Sequence, residues 1–405
     1  MAGLGLAALL AAAIRSGWWP GRGIRGDVPA SAVLRVPWPG WQRQLEITDP
    51  AVLRQLARAL PDRPVPRPPP VPPPARPPAA DEEGDAFASF GGPLPRWQLI
   101  LRYPQGSARE FVALPDGTLR DAASGAPAGG AALRQATQAL GLELSEHLFG
   151  EPLPWPEVDR MFPFDAEATI EDLRTGLWLR VRRYGGYRHA DVEPVTRQDT
   201  AVLHRIFGGQ WTWRRRPVVA IIQDRRIAAS VNGMPHGNGL IAANDFPGHF
   251  CLHFLGSQVH ASGRIDPSHQ LMVHQASGRL IERLAEAPPA QLVQWALAAV
   301  QESDEAALHL TVTGWDATLA RRLLENIRHV TIVGLVVSGA TVRAELVVYY
   351  EQPNPDAGYR QVLQLPLQPA GWRGGWTVRL ADLAPLLKVP TSTPLLLRSG
   401  GYPEC

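Results

Sequence analysis

Apolar and polar residues alternate with a period of two over many short stretches of the chain, the pattern of half-buried strands. SAVLRV (31–36) and QRQLEI (42–47) alternate around the hairpin turn PWPGW. Asp49-Pro50 then opens a helix, with Asp49 as N-cap, Pro50 in the first helical position and an apolar stripe of Val52, Leu53, Leu56 and Leu60. RWQLILRY (96–103) and AREFVAL (108–114) read as a hairpin around Pro104-Gln105-Gly106. Asp116-Gly117 supplies a second tight turn, and a helix is expected from about 131 to 140.

The texture changes after a proline-punctuated connection at 150–165. Thr169–Asp172 and Leu177–Arg182 read as paired strands with Thr175-Gly176 at the turn, and Arg182-Arg183 with Gly185-Gly186 as a hairpin turn with a basic rim. Thr196 and Asp199 form a capping box for a helix over 197–207. VVAII (218–222) and RIAASV (226–231) are two more strands, around Asp224-Arg225. Asp266-Pro267 opens a helix to about Gly278. From 288 a helix through PPAQLVQWALAAVQESDEAAL turns Leu292, Trp295, Ala299 and Val300 inward, and Ala317–Ile327 is a second helix. Four long strand patterns follow: HVTIVGLVV, ATVRAELVVYYE, YRQVLQLPLQ and GWTVRLADL.

These elements make an α+β multidomain chain. Its 405 residues suggest two or three domains. They are a small α+β domain at 31–150, a β-rich central domain at 160–280 and a helix-then-sheet domain at 288–390. Proline is concentrated at 61–80, and the insertion 61–85 reads as an extended spacer within the first domain, because proline removes amide donors and fixes φ. The apolar run 3–14, followed by Arg15 and Trp18-Trp19, makes 1–30 an export signal or membrane anchor and places the protein outside the cytoplasm, secreted or held at the cell envelope. A net charge of +2 gives no nucleic-acid footprint. Two cysteines, Cys251 and Cys405, are too few for a disulfide framework.

Candidate chemistry concentrates between Asn232 and Gly263. Cys251 has His249 two residues before it and His253 two after; His236-Gly237 lies upstream and His260 downstream. If 248–254 is a strand, His249, Cys251 and His253 share one face, and Phe250, Leu252 and Phe254 take the other against the core. An imidazole beside a thiol can accept its proton or stabilise the thiolate. The bland alternative for Cys251 is a small buried hydrophobe. His260, His269 and His274 read as solvated or helix-terminal histidines.

The order strand, strand, His236-Gly237, Gly-rich loop, His249-x-Cys251-Leu252 resembles the YkuD-type L,D-transpeptidases. Their signature is a His-Gly, a loop, then Ser/Thr-His-Gly-Cys, an aliphatic residue and Arg or Asn. Gly248 stands where the family has Ser/Thr, Phe250 where it has glycine and His253 where it has Arg/Asn. The resemblance implies a divergent cysteine acyl transferase or peptidase. Cys251 would attack a carbonyl of a peptidoglycan stem peptide and form a thioester. His249 would take the thiol proton, His236 would line the donor site, and Gly237, His253 and Arg216 would contact substrate. No cofactor is implied. The helix-then-sheet order of 288–390 is similar to the cone of NTF2-like domains.

Two alternatives remain open. His189, Asp191, His236, His249 and His253 supply enough ligands for a zinc-dependent cell-wall hydrolase, which needs three protein ligands and an open position. A non-catalytic envelope binding or scaffold protein fits the modular layout and the proline spacer.

Overall fold

The computed structural model describes residues 28–38, 41–59, 97–113, 118–128, 148–260, 262–352, 354–371, 374–390 and 394–396. It is a mixed α+β protein with several sheets. The chain divides into two compact units, Met1–Leu148 and Phe149–Cys405.

In the first unit, strands β1 (Ser31–Trp38), β2 (Trp41–Ile47), β3 (Trp97–Arg102), β4 (Ala108–Ala113) and β5 (Leu119–Asp121) form one sheet in the order β2-β1-β3-β4-β5. All its pairings are antiparallel. Helix α1 (Pro50–Ala59) starts where Asp49 Oδ1 accepts from the Ala51 amide at 2.7 Å, and it buries Leu53 and Leu56. The expected turn Asp116-Gly117, the helix at 131–140, Leu60, the proline insertion and the apolar N-terminal run lie outside the described residues.

The second unit begins with α2 (Trp155–Met161) and contains a closed barrel. Its strands are β6 (Glu167–Asp172), β7 (Trp178–Gly185), β8 (Ala190–Pro194), β9 (Arg215–Ile222), β10 (Arg225–Asn232) and β11 (Phe250–His253), in the order β10-β11-β8-β7-β6-β9. Closure removes exposed strand edges. Inward residues Ile170, Leu179, Val181, Val192, Val218, Ala220, Ile227, Phe250 and Leu252 share one core cluster. Gln223 and Asp224 both have positive φ (49° and 65°) in the two-residue connection from β9 to β10, the geometry of a type I′ hairpin turn. Helix α3 (Arg197–Ile206) carries the Thr196/Asp199 capping box, with Asp199 N–H donating to Thr196 Oγ1 at 3.2 Å and Thr196 N–H to Asp199 Oδ2 at 3.0 Å.

The expected hairpin turn lies slightly later, at 186–189 between the antiparallel pair β7 and β8, with Gly186 at φ +84°. β7 continues to Gly185, and Arg183, expected on a basic rim, points inward. Its side chain is 1% exposed and bonded to Asp159 Oδ1 at 2.7 Å, with the guanidinium over the rings of Trp155 and Phe164. Backbone carbonyls of Phe162, Gly185 and Gly186 accept its remaining protons. A buried guanidinium is tolerated because these acceptors replace water.

Helix α4 (Pro267–Ala276) is capped by Asp266, whose Oδ1 accepts from the Ser268 and His269 amides. Every residue from Ser268 to Ala276 is buried, because β9 and β10 cover one side and α6 (Pro289–Gln301) another. Between them lies α5 (Leu280–Glu286). The single helix expected from 288 breaks into α6 and α7 (Glu305–Thr311) at Ser303, which has φ +50°, and Asp304 caps the new helix through the Ala307 amide. Helix α8 (Ala317–Asn326) leads into the last sheet. That sheet contains β12 (Val312–Thr313), β13 (Ile327–Ser338), β14 (Thr341–Tyr350), β15 (Ala357–Pro369) and β16 (Trp376–Arg379) in the order β12-β16-β15-β14-β13. Strand β17 (Leu395–Leu396) pairs with β15. Among the described residues no helix is long and apolar enough to cross a membrane.

Candidate functional site

The barrel brings the His/Cys stretch to one place. β11 lies between β10 and β8, with Cys251 opposite Asp191 and His253 opposite Ser230. Phe250, Leu252 and Phe254 enter the barrel core, so Cys251 and His253 take the other face, as period-two alternation requires. That face is not open: Cys251 and His253 are 0% exposed.

The loop between β10 and β11 is closed by a reciprocal pair of hydrogen bonds. His236 N–H donates to the His249 carbonyl at 3.0 Å and His249 N–H to the His236 carbonyl at 2.9 Å. Glycine is required on both sides of this bridge. Gly237 has φ +59°. Gly248 has φ +119°, and a Cβ there would lie only 2.3 Å from the His236 carbonyl oxygen. Glu193 of β8 ties the loop down by accepting from the Leu240 and Ile241 amides at 2.7 and 3.0 Å. Asn244 fixes its far end through the Pro194 carbonyl and the Phe246 amide.

The imidazole held at the sulfur is that of His236, with Nε2 3.4 Å from Cys251 Sγ. Its Nδ1 lies 2.8 Å from the Met234 carbonyl, which can only accept. Nδ1 therefore carries the proton, and Nε2 presents a lone pair to the sulfur. Burial lowers the pKa of His236, against the Met234 hydrogen bond, so the ring is neutral at pH 7. His249, expected to take the thiol proton, does something else. Its Nδ1 donates to the Asn238 carbonyl at 2.7 Å, its ring stacks on Tyr184, and its Nε2 is 3.9 Å from Asp191. Spacing along one strand put His249 and Cys251 on a shared face; the loop closure decided which ring reaches the sulfur.

Cys251 is disulfide-bonded in this structure, and there is no free cysteine among the described residues. Cys405 lies outside them. The sulfur is therefore a protected one, not an exposed nucleophile.

Two residues expected to contact substrate are engaged elsewhere. His253 is buried in a stack of rings. Its ring centroid is 4.0 Å from that of His189 and 3.6 Å from that of His269. Ser257 Oγ donates to the Phe254 carbonyl, so His253 Nδ1, 3.0 Å away, is the donor to that hydroxyl. Burial, with the neighbouring His269 and His189 rings, pushes the His253 pKa well below the ordinary value. Arg216 is paired inside the unit: Nε and Nη2 reach the two carboxylate oxygens of Asp172 at 3.0 and 2.7 Å. Its neighbours are engaged too. Arg215 bonds Glu302 and Asp266, and Arg214 bonds Glu351 and Ser303. Gly237 is exposed beside the His249 ring.

Asp191 is the electrostatic centre of the site. Its carboxylate lies 3.1 Å from His189 Nε2, 3.3 Å from His260 Nε2 and 3.9 Å from His249 Nε2. Burial by itself raises the pKa of a carboxyl; the His189 and His260 rings overcome that and hold Asp191 well below the usual carboxylate range. Of the five residues expected as metal ligands, His189 and Asp191 adjoin each other, His236 faces the sulfur, His249 lies at the rim and His253 turns to Ser257. Sequence reasoning missed His260, Glu193, His269 and His274. His269 is 0% exposed and its Nδ1 meets Ser230 Oγ at 2.9 Å; His274 lies in the last turn of its helix, as expected, but is buried against Trp295 and not solvated. Only the fully buried pattern of β8 and α4 marks Glu193, His269 and His274, and that pattern exists only in three dimensions; His260 lies in the exposed loop after β11.

No protein-family model matches the chain, and neither a curated protein nor a solved structure is significantly similar to it.

Proposed function

We propose that the protein is a divergent cysteine acyl transferase or peptidase of the L,D-transpeptidase kind. It acts on peptidoglycan stem peptides outside the cytoplasm, with a YkuD-like barrel as its catalytic part and the NTF2-like C-terminal sheet as an accessory. The observation that carries this reading is the Cys251–His236 pair: a neutral imidazole with its lone pair 3.4 Å from the sulfur. A disulfide sulfur cannot attack a carbonyl, so reduction precedes chemistry. A dithiol supplies two electrons and two protons and leaves as its own disulfide, returning Cys251 to a thiol. His236 Nε2 then accepts the thiol proton as sulfur bonds to the stem-peptide carbonyl carbon. The same proton goes to the departing amine when the tetrahedral intermediate collapses to the thioester. A second amine, or water, takes the acyl group and frees the thiol. The disulfide itself supports an oxidising compartment.

The full burial of Cys251 and its disulfide favour one other reading, a non-catalytic envelope scaffold in which the bond is structural. Intact-mass spectrometry separates the two. After reduction, a carbapenem is expected to add once per chain at Cys251, with no addition to Cys251→Ser or to unreduced protein. Reduced protein that accepts a small alkylating agent at Cys251 but no carbapenem, or that accepts neither, would overturn the acyl-transfer reading.

A further inference from the structure

Beside the cysteine, and independent of its chemistry, three side chains meet in a way that an acyl transferase does not need. His189 immediately precedes β8, Asp191 lies near its start, and His260 comes from the loop after β11. One ligand atom from each lies within 4.8 Å of the other two.

The tautomers are fixed by the surroundings. His189 Nδ1 lies 2.7 Å from the Gln258 carbonyl, which only accepts, so Nδ1 carries the proton. In the neutral ring Nε2 then has a lone pair. That nitrogen is fully buried and stands 3.1 Å from Asp191 Oδ1. At that distance the nitrogen and the carboxylate oxygen need a positive charge between them, a proton or a metal cation. His260 closes the third side, with Nε2 3.3 Å from both Asp191 oxygens.

The spacing suits a particular cation. Zinc binds nitrogen and oxygen at about 2.0–2.2 Å, so the edges of its tetrahedron are about 3.3 Å long. The two Asp191 separations, 3.1 and 3.3 Å, match that length. The Nδ1–H bond from His189 to a backbone carbonyl is the outer-shell support that orients a ligating imidazole. The His260 backbone carbonyl accepts from Arg188 Nη1 at 2.9 Å, which holds the loop in place. The His260 side chain is 39% exposed, so a hydrated ion can arrive from solvent.

We propose that His189 Nε2, Asp191 and His260 Nε2 form a two-histidine, one-carboxylate site for a divalent first-row transition ion, zinc in the first instance. A fourth position is left for water or for His249, whose Nε2 lies 3.9 Å from the same carboxylate. The ion takes His260 Nε2 as the neutral imidazole, whose proton then sits on Nδ1. Cys251 is not a ligand, and the disulfide need not be opened.

The test uses the full chain in its disulfide-bonded form. Equilibrium dialysis against zinc is expected to give one bound ion per chain, and cobalt in its place a visible band of low-symmetry Co(II). His260→Ala removes an exposed ligand without touching the core and is expected to weaken zinc binding by at least about tenfold; Asp191→Asn should do the same. Should Asp191→Asn not fold, His260→Ala alone decides. Absence of saturable zinc binding, or unchanged affinity in His260→Ala, would overturn the site. Neither result depends on whether Cys251 reacts with a carbapenem, so the two proposals fail separately.

Discussion

Arg216 offers the sharpest contrast between a substrate ligand and an internal strut. Asp172 is fully buried at the end of β6, and its carboxylate accepts from Arg216 Nε and Nη2 as well as from the Thr175 amide and hydroxyl. Replacing Arg216 by Met keeps most of the aliphatic stem but leaves a buried carboxylate with the Thr175 donors alone. Breaking a buried pair from one side costs about 3–5 kcal/mol. The two remaining hydrogen bonds and the 18% exposure of the arginine side chain place this case at the low end, about 3 kcal/mol. Asp172→Leu strands a guanidinium that water can still reach, and should cost less. The double variant, with both charges gone, should be more stable than the sum of the single losses allows. Urea unfolding followed by circular dichroism measures all four proteins, and carbapenem addition to the reduced proteins reports on the site. A loss under about 1 kcal/mol in Arg216→Met, the range of surface pairs, together with reduced carbapenem addition, would return Arg216 to a substrate role and refute the strut.

Removing His236 is expected to slow alkylation of Cys251 in the reduced protein at pH 7, by the roughly 10²–10⁴-fold range of a positioned base at most, whereas His249→Ala should change it far less; stopped alkylation followed by mass spectrometry measures both rates. His274 has its pKa lowered to about 4 by burial, with the Arg283 charge adding to the shift. Between pH 6.5 and about 4 the unfolded chain binds a proton that the folded ring refuses, so stability falls as pH drops through that window, by about 3 kcal/mol for this group. His274→Leu should flatten that slope in urea titrations at pH 7 and pH 4.5. Gly248→Ala would press a methyl against the His236 carbonyl at φ +119°, and is expected to destabilise the unit by more than about 1 kcal/mol and to disturb the His236–Cys251 contact, read by unfolding and by the alkylation rate.

Much of the local architecture is written in the chain. Period two marked five of the six barrel strands but not β8, which is buried at every position, and it marked the long strands of the last sheet, where GWTVRLADL is strand only over Trp376–Arg379 and then a 3-10 helix; Asp49, Thr196-Asp199 and Asp266 announced their helices, because a side-chain cap depends on residues only two or three apart. The same local logic put Cys251 and His253 on one face of β11 and Phe250 and Leu252 on the other. What local pattern does not contain is the environment of that face. Barrel closure and the packing of α4 buried it, turned Arg183 inward against its expected place on a turn, and gave Arg215 and Arg216 buried carboxylates. Which imidazole meets the sulfur was decided by the His236–His249 bridge, which closes a loop, and the grouping of His189, Asp191 and His260 joins residues far apart in sequence. Hydrogen bonds and burial between distant segments depend on how the chain closes on itself, and no window of neighbouring residues records that.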